Sequence, residues 1–210
     1  MPQFRIMYKA LLFCFGLFLF LGCKKKTITY KIVGSVYDQT FSSNLSGATV
    51  ELKVTYAGTG NLVTKETVST SSDGSFTFEL KRDKIESVTV VVSKSGYFQQ
   101  TQTYNMDDIS VEDENVITFQ TKAKAWVALH FTGDGTKTVK YFRSEGLSNC
   151  SECCPSGEYT LTNVTDQTIV CVNNGNTNYG IYFMIVNETG YTPLNITTPA
   201  FDTTELLIPL

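Results

Sequence analysis

Along nearly every stretch of this chain that could form a regular element, apolar and polar side chains alternate one for one. Val50, Leu52, Val54 and Tyr56 fall on one side, with Glu51, Lys53 and Thr55 on the other. Phe76, Phe78 and Leu80 repeat the pattern after an Asp73-Gly74 turn signal, and Ile32, Gly34 and Val36 share a face further upstream. Period 2 is the strand period, because successive Cβ atoms point to opposite faces. No segment sustains a helical period, so helix is confined to a turn or two around Lys81–Glu86. Leu62–Thr70, the β-branched Val88–Ser93, Tyr97–Tyr104 and Asn115–Thr121 complete one strand set, with Gly, Asn and Asp signals between them. Short strands with one apolar face bury it against a second sheet, which predicts an all-β fold of antiparallel β-sandwiches.

A second strand set follows. Ala125, Val127, Leu129 and Phe131 form one strand face and Trp126, Ala128 and His130 the other. Both faces are partly apolar, which predicts burial on both sides, one of them against the first half. Lys137–Arg143, Tyr159–Thr165, Gln167–Asn173, Tyr179–Asn187, Leu194–Thr198 and Thr204–Leu210 read as further strands. Lys122-Ala123-Lys124 is the boundary the pattern offers, and no Pro/Gly/Ser linker marks it. Two abutting sandwich domains over 31–122 and 123–210 are therefore expected, the second carrying a cysteine cluster.

In the first half, Ile32-Val33-Gly34-Ser35-Val36, Leu45-Ser46-Gly47-Ala48-Thr49-Val50-Glu51-Leu52, Ser72-Asp73-Gly74-Ser75-Phe76-Thr77-Phe78 and Lys94-Ser95-Gly96-Tyr97 follow one another. In order and spacing this series resembles the carboxypeptidase regulatory-like domain family, over roughly residues 31–120. The resemblance implies a transthyretin-like, immunoglobulin-like β-sandwich and a non-catalytic module. Such modules are common in lipoproteins and outer-membrane uptake receptors of Bacteroidetes. The matching residues are structural, and the family supplies no catalytic residue.

Ahead of the strands, Arg5 and Lys9 precede the uncharged run Ala10–Gly22, which ends in a small residue before Cys23. A membrane-spanning helix needs about 18 or more apolar residues. This shorter run reads as an export signal over residues 1–22. Phe20-Leu21-Gly22-Cys23 resembles the lipobox of bacterial lipoproteins. That resemblance implies that Cys23 carries diacylglycerol and palmitate and becomes the new N-terminus. Residues 23–30 are then a short basic tether. Lys24, Lys25 and Lys26 would then lie among head groups, where each adds about 1 kcal/mol toward anionic lipid; the alternative reading is a solvated polar start to the tether. By resemblance to lipoprotein sorting, Lys24 after the cysteine favours the outer membrane and leaves the leaflet open.

The formal charge of −3 becomes −5 without Arg5 and Lys9, and −8 once Lys24–Lys26 are set aside. An acidic body argues against nucleic acid, whose phosphates need a positive surface. Of six cysteines, Cys14 leaves with the signal and Cys23 takes the lipid, so Cys150, Cys153, Cys154 and Cys171 remain. In an exported protein such a set forms disulfides. Adjacent Cys153 and Cys154 have Cα atoms only about 3.8 Å apart, too close for an unstrained bridge. Cys171 therefore pairs with Cys153 or Cys154, and both pairings stay open. A four-thiolate zinc site is the competing reading.

His130 is the single histidine, and no Gly-x-Ser-x-Gly elbow, HExxH or phosphate loop is present. The chain reads as a non-enzyme without a cofactor. Asp107, Asp108, Glu112, Asp113 and Glu114 could offer oxygens to Ca²⁺, but their spacing fits no EF-hand and a polar loop accounts for them. Asn173, Asn174, Asn176, Asn178 and Tyr179, with Tyr191 in the next turn, are the candidate ligand loop. Amides pair with sugar hydroxyls, and an aromatic ring covers the apolar sugar face. The chain thus reads as a lipid-anchored cell-envelope lipoprotein with a non-catalytic binding or accessory role linked to nutrient or glycan uptake. Its partners would be the membrane and an envelope protein or glycan. The alternative is a structural scaffold or adhesin component; an unrecognised hydrolase would need a constellation that the sequence does not offer.

Overall fold

The computed structural model describes residues 28–150, 152–154 and 157–210. Signal residues 1–22, Cys23 and the lysines after it lie outside the described residues. Strands make up the first half as β1 (Thr29–Asp38), β2 (Ser43–Asn44), β3 (Thr49–Tyr56), β4 (Leu62–Ser69), β5 (Ser75–Lys81), β6 (Ile85–Ser93), β7 (Gln100–Asn105) and β8 (Asn115–Thr121). The second half holds β9 (Lys124–Thr132), β10 (Val139–Glu145), β11 (Tyr159–Leu161), β12 (Asp166–Asn174), β13 (Thr177–Ile185), β14 (Thr192–Thr198) and β15 (Thr203–Pro209).

Each half is a β-sandwich with its own core. In the first, β1 pairs β5 and β2 along one edge and β8 along the other, facing the sheet β4-β3-β6-β7. Ile32, Val36, Val50, Leu52, Val54, Phe78 and Phe119 fill the space between them, nearly free of solvent. In the second, β12-β9-β15 faces β11-β10-β13-β14 around Val127, Leu129, Phe131, Tyr179, Ile181 and Ile208. Setting β9 beside β1, β10 beside β3, β12 beside β5 and β15 beside β8 gives the same strand order in both halves. The topology is duplicated although no sequence repeat announces it.

The sheets are not wholly antiparallel. β1 runs parallel to β8, from Ile32↔Asn115 to Asp38↔Thr121. β9 likewise runs parallel to β15, from Trp126↔Thr203 to Thr132↔Pro209. The first and last strands of each sandwich therefore point the same way, and the chain comes in at one end and leaves at the other. Only Lys122 and Ala123 separate β8 from β9.

The two sandwiches consequently meet end to end. Phe98 N–H donates to Lys122 O at 3.1 Å, Lys124 N–H to Gly96 O at 2.6 Å, and Gly175 N–H to Ala123 O at 2.8 Å. Ala123 N–H also reaches Thr40 Oγ1 at 2.8 Å. Phe201 stacks on Phe41 with centroids 5.8 Å apart and meets Tyr97 edge-on at 5.2 Å. Gly96 sits at φ +79, and a Cβ there would lie 2.7 Å from the Phe201 ring. Only glycine fits both the left-handed backbone and the close approach. Beneath this joint the buried Asp38 carboxylate accepts the Tyr97 hydroxyl at 2.7 Å. Burial and that carboxylate hold the phenol well above its ordinary titration range.

Two expectations need correction. Lys81–Glu86 forms no helix: β5 runs to Lys81 and β6 resumes at Ile85, because Ile85 buries its side chain and pairs with Tyr56. The single helical turn among the described residues is Met106–Asp108. The Trp126–Ala128–His130 face of β9 is half-buried rather than covered by the first domain, since the halves touch through their ends.

Each core closes without side chains from the other half, so the halves are expected to be separate folding units. A fragment of residues 27–122 should give dispersed amide spectra by NMR. A disordered fragment beside a folded full chain would mean one cooperative unit.

Candidate functional site

The cysteine segment lies in the connection from β10 to β11, and it is held by two pairings, Cys150–Cys153 and Cys154–Cys171. Their Cα atoms are 5.2 and 5.1 Å apart, inside the range that a disulfide spans. Cys171 points inward from β12 and is fully buried. Cys154 therefore ties the connection leaving one sheet to a strand of the opposite sheet. Val172 N–H donates to Glu152 O at 3.2 Å, Lys124 pairs with Glu152 at 3.2 Å, and the Arg143 guanidinium donates to Cys154 O. With the sulfurs paired, this cluster offers no thiolate to zinc.

The candidate ligand loop is not brought together. Its seven residues shrink to a Gly175-Asn176 turn, because β12 extends to Asn174 and β13 begins at Thr177. Asn173 is fully buried. Its Oδ1 accepts Leu147 N–H at 2.8 Å, and its Nδ2 reaches Asn178 O at 3.1 Å and Thr198 Oγ1 at 2.9 Å. It is a structural hub, since a buried amide must satisfy its donors and acceptor internally. Tyr179 is also fully buried, its hydroxyl has no partner among the described residues, and burial pushes its titration up to about 12. Asn176 Oδ1 accepts Ala200 N–H at 3.0 Å and Asn178 Oδ1 accepts the Thr197 hydroxyl at 3.0 Å, so both brace the turn. Tyr191 stands at the other end of β13, next to Thr192, which pairs Phe183. Its hydroxyl donates to Glu158, and its ring meets Phe142 edge-on at 5.3 Å.

The acidic loop between β7 and β8 is organised by neutral side chains. Ser110 N–H donates to Asn115 Oδ1 at 2.7 Å, while Ser110 Oγ accepts the N–H groups of Glu112 at 3.2 Å and Asp113 at 3.1 Å. Glu114 turns back to Lys31 at 2.5 Å. Among the described residues no three His, Cys, Asp or Glu side chains converge as metal ligands.

His130 bridges two strands on the outer face of β12-β9-β15. Its Nδ1 lies 2.5 Å from Glu205 Oε1 on β15 and its Nε2 lies 2.7 Å from Asp166 Oδ1 on β12. Glu205 first and Asp166 second raise the imidazole above its ordinary 6.5. A raised folded-state value means stabilisation that is complete below the ordinary value and lost as pH rises through the raised one. His130→Gln should therefore destabilise the protein at about pH 6 and leave it unchanged near about pH 9, read by urea unfolding. Equal losses at both pH values would assign the effect to packing.

Of the candidate ligand residues, Asn174 reaches a cleft, at the joint. A groove of about 320 Å³ opens there between the two sandwiches. Gln39, Gln100, Gln120, Phe98, Thr121 and Lys122 line it from the first half and Leu147 and Asn174 from the second. Sequence reasoning missed the glutamines. They sit on different elements, and their one shared signal is an outward position near a strand end.

No protein-family model matches the chain, and no curated protein matches it. Among solved structures, it is similar to the shaft pilin SpaA from Lactobacillus rhamnosus GG at 11% identity and TM-score 0.37, over 86% of this chain and 97% of the pilin. A streptococcal ancillary pilin matches at 12% identity and TM-score 0.38, over 89% of this chain and 63% of that one. The Bacillus anthracis TIE protein matches at 12% and 0.37, over 87% of this chain and 34% of that protein. At such values the likeness carries no argument about this chain.

Proposed function

We propose that this protein is a lipid-anchored spacer of the cell envelope, a non-catalytic scaffold or adhesin-type component that carries its second sandwich away from the bilayer. The observation that supports this reading is the parallel pairing of first and last strands in both halves. With β1 starting next to the tether, β8 delivers the chain to the far end, where the second sandwich begins and repeats the arrangement. Strands of 10 and 9 residues laid end to end span roughly 60 Å at ~3.3 Å per residue. The packed joint opposes folding back.

Small-angle X-ray scattering on soluble residues 24–210 tests the spacer. A radius of gyration near or above about 20 Å is expected, against about 16 Å for a single globule of this length. The compact value would overturn the reading. The anchor is tested separately: Cys23→Ser should abolish fatty-acid labelling and release the protein from the membrane fraction, and unchanged labelling would exclude lipidation there.

A further inference from the structure

We infer that the groove at the joint is a binding site for a neutral polyhydroxylated ligand, a glycan chain. Four carboxamides from both halves face this one cleft: Gln39 after β1, Gln100 on β7, Gln120 on β8 and Asn174 at the end of β12. A carboxamide carries two donors and an acceptor on one planar head, which matches the donor-acceptor pairs of neighbouring sugar hydroxyls. Gln39 Nε2 donates to Gln120 Oε1 at 2.6 Å. This contact orients both heads and leaves the Gln39 acceptor and the Gln120 donors for a ligand. Lys122 is the one charged lining residue and no carboxylate lines the cleft, so nothing there selects for a cationic ligand. Phe98 adds an apolar ring, with Lys124 Nζ 5.3 Å from its centroid. The volume falls at the lower end of the roughly 300–1,000 Å³ typical of ligand sites, which favour domain boundaries.

The cleft is also held in shape before any ligand arrives. Thr121 Oγ1 donates to Phe98 O at 2.6 Å, and Lys122 O accepts Phe98 N–H at 3.1 Å. Asn174 O accepts the Thr177 hydroxyl at 2.8 Å, fixing the end of β12. Walls fixed in this way reduce the ordering cost of binding.

The inference goes beyond the spacer reading but relies on the same rigid joint, and it fails separately, because scattering dimensions do not depend on a ligand. Soluble residues 24–210 are titrated by NMR with maltohexaose, cellohexaose and mannohexaose, and with polygalacturonate as the anionic comparison. At least one neutral oligosaccharide is expected to shift the side-chain amide signals of Gln39, Gln100, Gln120 and Asn174. Gln100→Ala with Gln120→Ala should weaken that binding about tenfold or more with the melting temperature unchanged, whereas Tyr191→Ala leaves it intact. Silence of these amides toward every neutral probe, a response to polygalacturonate alone, or shifts centred on Tyr191 would each overturn it.

Discussion

Replacing Cys171 with alanine should cost the second sandwich about 3 kcal/mol of stability, the chain-entropy value for a bridge closing a loop of this length. The bridge spans 17 positions, from the β10–β11 connection to the central part of β12. Without it the connection is held by Glu152, Lys124 and Arg143 contacts, which are partly solvent-exposed and individually weak. Trp126, the single tryptophan, sits on β9 beside β12 and reports unfolding of this half. The urea midpoint should drop for Cys171→Ala and for Cys154→Ala alike. Removing Cys150 and Cys153 together should cost less, because their bridge spans only 3 positions. The double variant should also retain a Cys154–Cys171 bridge without a titratable thiol. A free Cys171 in that variant would mean that the pairing is the alternative one, with Cys153.

The Gly34→Ala change should be at least as damaging, at about 3 kcal/mol or more, although it adds a single methyl. Gly34 lies in the middle of β1 between Phe76 on β5 and Ile117 on β8. A Cβ there would overlap the Phe76 ring and the Ile117 carbonyl oxygen. The ring occupies the space that a side chain would take, and the carbonyl belongs to a ladder that cannot shift without breaking the parallel pair. Near-UV circular dichroism and NMR of the first half should show the loss while Trp126 fluorescence stays native. Adding Phe76→Leu should recover part of the stability, because it clears the ring and leaves the carbonyl in place. Full stability of Gly34→Ala alone would show that β1 can move.

The strands were largely legible from the amino acids. Alternation such as Val50-Glu51-Leu52-Lys53-Val54 is a local signal, because a period of 2 assigns each side chain to a face without reference to anything distant. The turn residues behave similarly: Asp73 accepts the Ser75 N–H at 3.1 Å, and Ser71 and Ser75 hold its carboxyl down at about 2. Cysteine spacing also narrowed the bridges to two pairings by covalent geometry alone. The tertiary structure chose between them, through which sulfur the β10–β11 connection carries over the core.

Direction and partnership were not legible. Nothing in Asn115–Thr121 or Thr203–Pro209 says that these strands run parallel to β1 and β9, since a strand's pattern is the same read in either sense. That pairing is what sends the chain out of the far end of each sandwich. Burial was misread where a polar-looking residue is satisfied internally: Asn173 resembles loop amides in sequence, yet its donors and acceptor all find partners inside the fold. The opposite holds at the joint, where Gln39, Gln100 and Gln120 are unremarkable along the chain, are gathered at one end of the first sandwich by its strand pairing, and face Asn174 only because the second sandwich abuts that end. The amino-acid sequence by itself determined the all-β class, the strand positions and the candidate bridges, all set by neighbours one or two residues apart. The tertiary structure decided strand direction, the end-to-end joint and the groove beside it, because those depend on contacts between residues tens of positions apart, which no local pattern encodes.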